Sequence, residues 1–245
     1  MDIATPVFAH TIDFLNGDYI KQESTEDETE NIIKNSTEIV HLLKKYNLKV
    51  ADVSDYHIYP IADNDSPRLS ADRLEYSLGN MLNYGFVDID KIKKYYQHIY
   101  INQKQNELAF NDLNIAIAFT KDVFQTSKVY ICDEDRYAMQ TLAILLKNAM
   151  NDGIICYDDL YLNEKSVIQK LTGSKEYKEK WLTYCNYLQT ERYDYQIENS
   201  YCIMAKKRYI LPLYKDKRLD QLSSEINALL KEYLNISFDY YVLGK

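Results

Sequence analysis

A cap residue followed by apolar side chains three and four positions apart recurs along the first 190 residues, and that repetition commits the chain to packed helices. Asp88 precedes Ile89 and opens a helix expected to reach Tyr100. Asn111 or Asp112 precedes the stripe Leu113, Ile117, Phe119, Val123 and Phe124, which reads as a buried helix. Asp133, Glu134 and Asp135 begin another, carrying Met139, Leu142, Leu145, Leu146 and Met150, with Gly153 just past its end. Acids here oppose the positive end of a helix dipole, so each acidic run reads first as a helix start. The acidic run at 24–28 supplies the same signal to one helix bearing Ile32, Ile33, Ile39, Leu42 and Leu43.

Shorter elements fill the intervals. The apolar start of the chain ends at the turn signal Asn16-Gly17-Asp18, and residues 53–64 read as a loop with short extended pieces. Gly79 and Gly85 interrupt the chain before Asp88, Asp158-Asp159 and Asn163-Glu164 start two short helices, and residues 177–188 form a third around Trp181. Past residue 190 the texture changes. Residues 201–210 and 236–242 favour strands, Pro212 ends the first, and residues 219–234 read as one amphipathic helix. The expectation is a mainly α protein: a helical domain over 1–190 with a small α+β unit over 191–245 packed on it.

The net charge of −8 argues against a general nucleic-acid binder, which needs a basic face. No GxGxxG or GxxxxGK[ST] loop is present among only six glycines, so a polyanionic small molecule would have to be held by a side-chain cluster or a metal. The four cysteines form no CxxC pair and read as small apolar residues in a reducing cytoplasm. No apolar run approaches the roughly 18 residues of a membrane span, and Met1-Asp2 is not the basic start of a signal peptide, so a cytoplasmic location is expected.

The helix expected over 66–78 carries the chemistry. Ser66 would cap it, Pro67 suits its first turn, and Leu69, Leu74 and Leu78 form its apolar stripe. Asp72 beside Arg73, with Tyr76 one turn later, can hold a metal or a phosphate; the same residues also suit a solvent-facing ion pair. Lys206-Lys207-Arg208 could accept a phosphate or serve as a charged strand edge. His41, His57 and His98 have no motif around them.

Residues 2–10, Asp-Ile-Ala-Thr-Pro-Val-Phe-Ala-His, together with Asp72-Arg73-Leu74-Glu75-Tyr76, resemble the HD-domain metal-dependent phosphohydrolases, in the branch similar to deoxynucleoside triphosphate triphosphohydrolases. The resemblance implies an HD-type helical core and a divalent metal ion (Mn, Fe, Mg or Zn). Asp2 matches the Asp of the family's His-Asp pair and Asp72 its distant Asp, making both metal ligands. His10 matches a His near the substrate, acting as acid or substrate contact. Arg73 and Tyr76 match positions facing phosphates or sugar, Glu23 the acid of a His-Glu pair, and Phe8 a packing position. The implied substrate is a small phosphorylated molecule such as a nucleotide, and similar proteins often form homo-oligomers.

Met1, Thr5 and Gln22 stand where that family carries His, so of four expected metal ligands only Asp2 and Asp72 remain. Two explanations stay open: a longer natural protein with an upstream His-bearing helix, or a degenerate member that lost catalysis. On either, the chain as it stands is expected to have little activity. The alternative class is a non-catalytic nucleotide-binding or assembly module.

Overall fold

The structure, a computed structural model, describes residues 3–22, 28–187 and 189–245. In chain order the helices among them are α1 (Thr11–Leu15), α2 (Thr29–Asn35), α3 (Thr37–Lys45), α4 (Ala51–Ser54), α5 (Ala71–Asn83), α6 (Ile89–Gln97), α7 (Leu113–Val129), α8 (Asp133–Asn151), α9 (Glu164–Gly173), α10 (Lys175–Cys185), α11 (Leu219–Leu222) and α12 (Ser224–Leu234). The strands are β1 (Ile99–Ile101), β2 (Leu108–Phe110), β3 (Thr190–Tyr193), β4 (Leu213–Tyr214), β5 (Lys217–Arg218) and β6 (Tyr241–Gly244). The protein is mainly α. Three of the expected caps are present: Asp88, Asp112 and Asn163 accept from the backbone N–H of Lys91, Ile115 and Ser166.

The chain divides into two compact units. The first contains Met1–Ser54, Cys132–Lys206 and Phe238–Lys245; the second contains Asp55–Ile131 and Lys207–Ser237. The expected boundary at residue 190 coincides with neither, and the segment 191–245 is shared between the two.

In the first unit, α8 presents Leu142, Leu145, Leu146 and Ala149 to Ile12 of α1, Val167 and Leu171 of α9 and Tyr177 of α10. Each such side chain contributes about 1.5–3 kcal/mol on full burial, so α8 is the axis of this core. The antiparallel pair β3–β6 runs from Thr190 opposite Gly244 to Tyr193 opposite Tyr241. A buried ionic hub ties the start of α8 to these strands. Asp133 accepts from Arg136 Nη2, from Arg192 Nε at 2.5 Å and from the Tyr240 hydroxyl at 2.9 Å. Arg136, fully buried, also donates to the Ile203 carbonyl and lies over the Phe238 ring at 4.5 Å. A guanidinium can be buried here because a carboxylate, a carbonyl and an aromatic face take up its donors and charge.

In the second unit a four-stranded sheet has the order β1-β2-β4-β5, with β2 and β4 parallel and the other neighbours antiparallel. Glu107, just before β2, receives both Arg218 Nη1 (2.6 Å) and Nη2 (2.8 Å), a fork that ties β2 to the edge strand β5 across β4. Phe119 of α7 packs edge-on against Tyr95 of α6 and, tilted at 42°, against Phe110 of β2, while Phe124 meets Tyr233 of α12.

Several expected elements differ, for local reasons. The helix expected from residue 66 begins at Ala71: Ser70 is the cap, accepting from Arg73 N at 3.1 Å, while the Ser66 hydroxyl donates to the Tyr209 carbonyl. Residues 67 and 69 instead give their carbonyls to Leu211 N and Leu108 N. The break expected after Gly79 comes at Gly85, whose φ of +71° allows the turn in which Gly85 N and Phe86 N return to Leu82 and Met81. Ser36 and Ser223 each adopt extended backbone and cap a new helix, so the single helices expected over 24–43 and 219–234 are each two; the cap run at 24–27 lies outside the described residues. α6 stops at Gln97 because β1 follows it. Residues 201–210 form no strand beyond one bridge, Tyr201 to Val242, and β6 starts only at Tyr241.

Candidate functional site

α5 brings the expected polar residues together within the second unit. Its first turn is fully tied: Ala71 N and Asp72 N donate to the Ile61 and Ala62 carbonyls at 2.8 and 3.1 Å, and Arg73 N to Ser70 Oγ. The backbone amides there are therefore engaged, and any anion at this end must be met by side chains. Arg73 reaches back to the preceding loop, donating through Nη1 to Asn64 Oδ1 (2.8 Å) and the Arg68 carbonyl (3.2 Å), with Asp63 at 3.7 Å from Nη2. Asp63 also accepts from the Ser70 hydroxyl and from Asn64 N, which closes the turn before α5.

Tyr76 is half-buried one turn after the exposed Asp72. Burial pushes its phenol up, against the lowering pull of the Arg208 and Arg73 charges. Arg208 is steadied in turn by its carbonyl, which accepts from the Tyr233 hydroxyl at 3.0 Å. The basic run around it is dispersed: Lys207 donates to the Leu234 and Ile236 carbonyls at the C-terminus of α12, and Lys206 to the Lys21 carbonyl. Asp72, Arg73, Tyr76 and Arg208 thus form one cluster of a carboxylate, two guanidiniums and a phenol. Arg208 is the member that sequence spacing could not place beside α5.

His10 belongs to the first unit. It directly precedes α1 and shares a 3.0 Å hydrogen bond between Nδ1 and Oδ2 of the fully buried Asp13. The His-x-x-Asp spacing, one helical turn, was the legible signal for this pair. Phe8 packs on Trp181 with ring centroids 6.1 Å apart. On α8, burial pushes the Asp135 carboxyl up to about 6, while the charges of His10 and Arg136 pull it down. Asp2 and Glu23 lie outside the described residues.

An acid whose folded value is raised holds its proton more tightly when folded, so its contribution is complete below the ordinary carboxylate range and is lost as pH rises through about 6. Asp135→Asn, neutral at every pH, is expected to raise the melting temperature at pH 7.5 by about 2–4 °C, roughly 1 kcal/mol after allowing for solvent. At pH 4 the gain should vanish. A lower melting temperature at pH 7.5 would contradict the burial argument.

Among the described residues no group of three or more His, Cys, Asp or Glu side chains is arranged to hold a metal ion. Asp72 is the carboxylate of the α5 cluster, the neighbouring Asp63 is taken up by Arg73, Ser70 and Asn64, and guanidiniums do not ligate cations, so these residues by themselves do not fit a divalent metal centre. Their chemistry suits the oxygens of a phosphate.

A curated Bacillus subtilis (strain 168) protein, described as "Uncharacterized protein YdhJ", is 24% identical over 180 residues, which cover 71% of this chain and 53% of that protein. The chain therefore spans about half the length of the curated relative it matches. No family model and no solved structure matches the chain. No helix among the described residues is long and apolar enough to cross a membrane.

Proposed function

We propose that the chain is an HD-type phosphohydrolase acting on a nucleotide or a related phosphate ester, with Asp72, Arg73, Tyr76 and Arg208 on the phosphate side. The observation that carries this reading is that the charges of Arg208, Arg73 and Asp72 all bear on the half-buried Tyr76 phenol. Guanidiniums present paired donors that match phosphate oxygens, and two of them offset the carboxylate in an otherwise acidic protein. In this reading Arg208 binds phosphate, Tyr76 orients it, and Arg73 holds the 63–70 loop while adding charge. The resemblance of residues 2–10 and 72–76 to HD-domain proteins supplies the reaction class.

A non-catalytic nucleotide-binding or assembly module is the second reading. It is favoured by the lack, among the described residues, of a three-donor metal group. One experiment separates the two. Nucleoside mono-, di- and triphosphates are incubated with the protein and Mn²⁺ or Mg²⁺, and phosphate release and melting temperature are both measured. Hydrolysis predicts metal-dependent release. The binding module predicts a metal-independent thermal shift, worth about 2.7 kcal/mol at a ligand concentration of a hundred times Kd, without release. In either case Arg208→Ala should weaken nucleotide binding about tenfold. Neither release nor shift with any nucleotide would overturn both readings.

A further inference from the structure

α3 carries more apolar surface than its own unit covers. Ser36 caps the helix, accepting from Ile39 N at 3.3 Å, and Leu43 is its buried anchor. Leu42 and Tyr46, one turn apart on the neighbouring face, are instead 50% and 65% exposed, with Ile39 half-buried in the same line. Leu48 and Val53, just beyond the helix, are exposed as well. Apolar residues gathered in this way, in contrast to single scattered ones, mark a contact surface.

The charges beside the stripe select its partner. Ile39, Leu42 and Tyr46 follow the alternating three- and four-residue spacing of a coiled-coil seam, and the exposed Glu38 and Lys45 each directly precede a seam residue, at the same flanking position two turns apart. Lys45 lies along that rim, its Nζ 5.4 Å from the Tyr46 ring centroid. Two copies of α3 packed antiparallel about a two-fold axis near Leu42 bring Glu38 of each against Lys45 of the other, and Ile39 of each toward Tyr46 of the other. A parallel arrangement would instead set Glu38 level with Glu38 and Lys45 level with Lys45, like charges together. The stripe is therefore complementary to itself in one orientation, which is the condition for an isologous dimer contact.

We propose that α3 is a dimerisation surface, which binds α3 of a second copy of this chain in antiparallel orientation. A contact centred on one helix of 9 residues is small, so the dimer is a weak one, with a dissociation constant of about 10–500 μM. The surface uses residues of the first unit only and stands whether or not the α5 cluster binds phosphate.

The test is sedimentation equilibrium of the full chain, from about tenfold below that range to about tenfold above it. The parent should pass from monomer to dimer. Leu42→Asp should abolish the dimer, and Glu38→Lys and Lys45→Glu, each of which sets like charges opposite one another twice, should weaken it at least about tenfold. An equal mixture of the two charge variants should recover near-parent affinity, as should the double variant Glu38→Lys, Lys45→Glu, because each restores both opposite-charge pairs. That recovery separates the contact from misfolding, which mixing would not repair. A chain that stays monomeric throughout, charge variants that associate like the parent, or charge variants that fail to recover on mixing would each overturn the proposal. A monomeric chain that sediments with phosphatidylglycerol vesicles would assign the stripe to a membrane surface and overturn it too.

Discussion

Replacing Asp133 by alanine is expected to cost roughly 3–5 kcal/mol, because it strands the buried Arg136 guanidinium and releases Arg192 and Tyr240 at once. At a few degrees per kcal/mol for a chain of this size, the melting temperature should fall by about 6–20 °C. The cost is the penalty of an unpaired buried charge rather than the worth of the pair, so the double variant Asp133→Ala, Arg136→Met should melt higher than Asp133→Ala alone. The pH dependence gives a second check. Burial pushes the Asp133 carboxyl up, but hydrogen bonds from Arg192 and Tyr240 and the charge of Arg136 outweigh it, and the net position is lowered. An acid lowered on folding contributes stability above its unfolded value and loses it as pH falls through its folded one. The deficit of Asp133→Ala should therefore be largest at neutral pH and shrink in acid. A variant that melts within 1 °C of the parent at pH 7 would show that the hub contributes little.

Asp72→Asn is expected to separate turnover from binding. Asp72 is exposed in the first turn of α5, where a surface carboxylate is worth about 0.3–1 kcal/mol against the helix dipole, and the fold should survive its replacement. Under the phosphohydrolase reading, metal-dependent phosphate release falls roughly a hundredfold. Metal-free nucleotide binding, by contrast, should hold or strengthen, because a like charge has been taken away from beside the phosphates. Loss of nucleotide binding in the absence of metal would assign Asp72 to the ligand's base or sugar and count against its place on the phosphate side. Unchanged metal-dependent release would remove Asp72 from the reaction.

Much of the helical framework was legible because helix starts are written locally. Asp88, Asp112 and Asn163 act as caps through the N–H three residues on, a relation that sequence alone exposes. Ser36 and Ser223 were not read as breaks, since a serine inside an apolar-periodic stretch can face solvent in a continuing helix or cap a new one. The strands at 99–101, 108–110 and 213–218 are two or three residues long, too short to express an alternation. Residues 201–210 carry a β-favourable composition, yet apart from the Tyr201 bridge they run as connecting backbone, and pairing rather than composition makes a strand. At the candidate site the same division holds. Asp72, Arg73 and Tyr76 were found by their spacing on one helix, while Arg208 joins them only through tertiary structure. Asp135 gave no sign of its environment, because the acids of a helix start look alike until burial distinguishes them.

The passage of the backbone back and forth between the two units also sets an order of assembly during synthesis. The second unit has its last segment once residue 237 has emerged, whereas the first closes only with Phe238–Lys245, the segment that brings Val242 and Gly244 beside β3. Until then the Asp133 and Arg136 pair lacks Tyr240 and the Phe238 ring. Residues 238–245 therefore act as the latch on helices translated long before them.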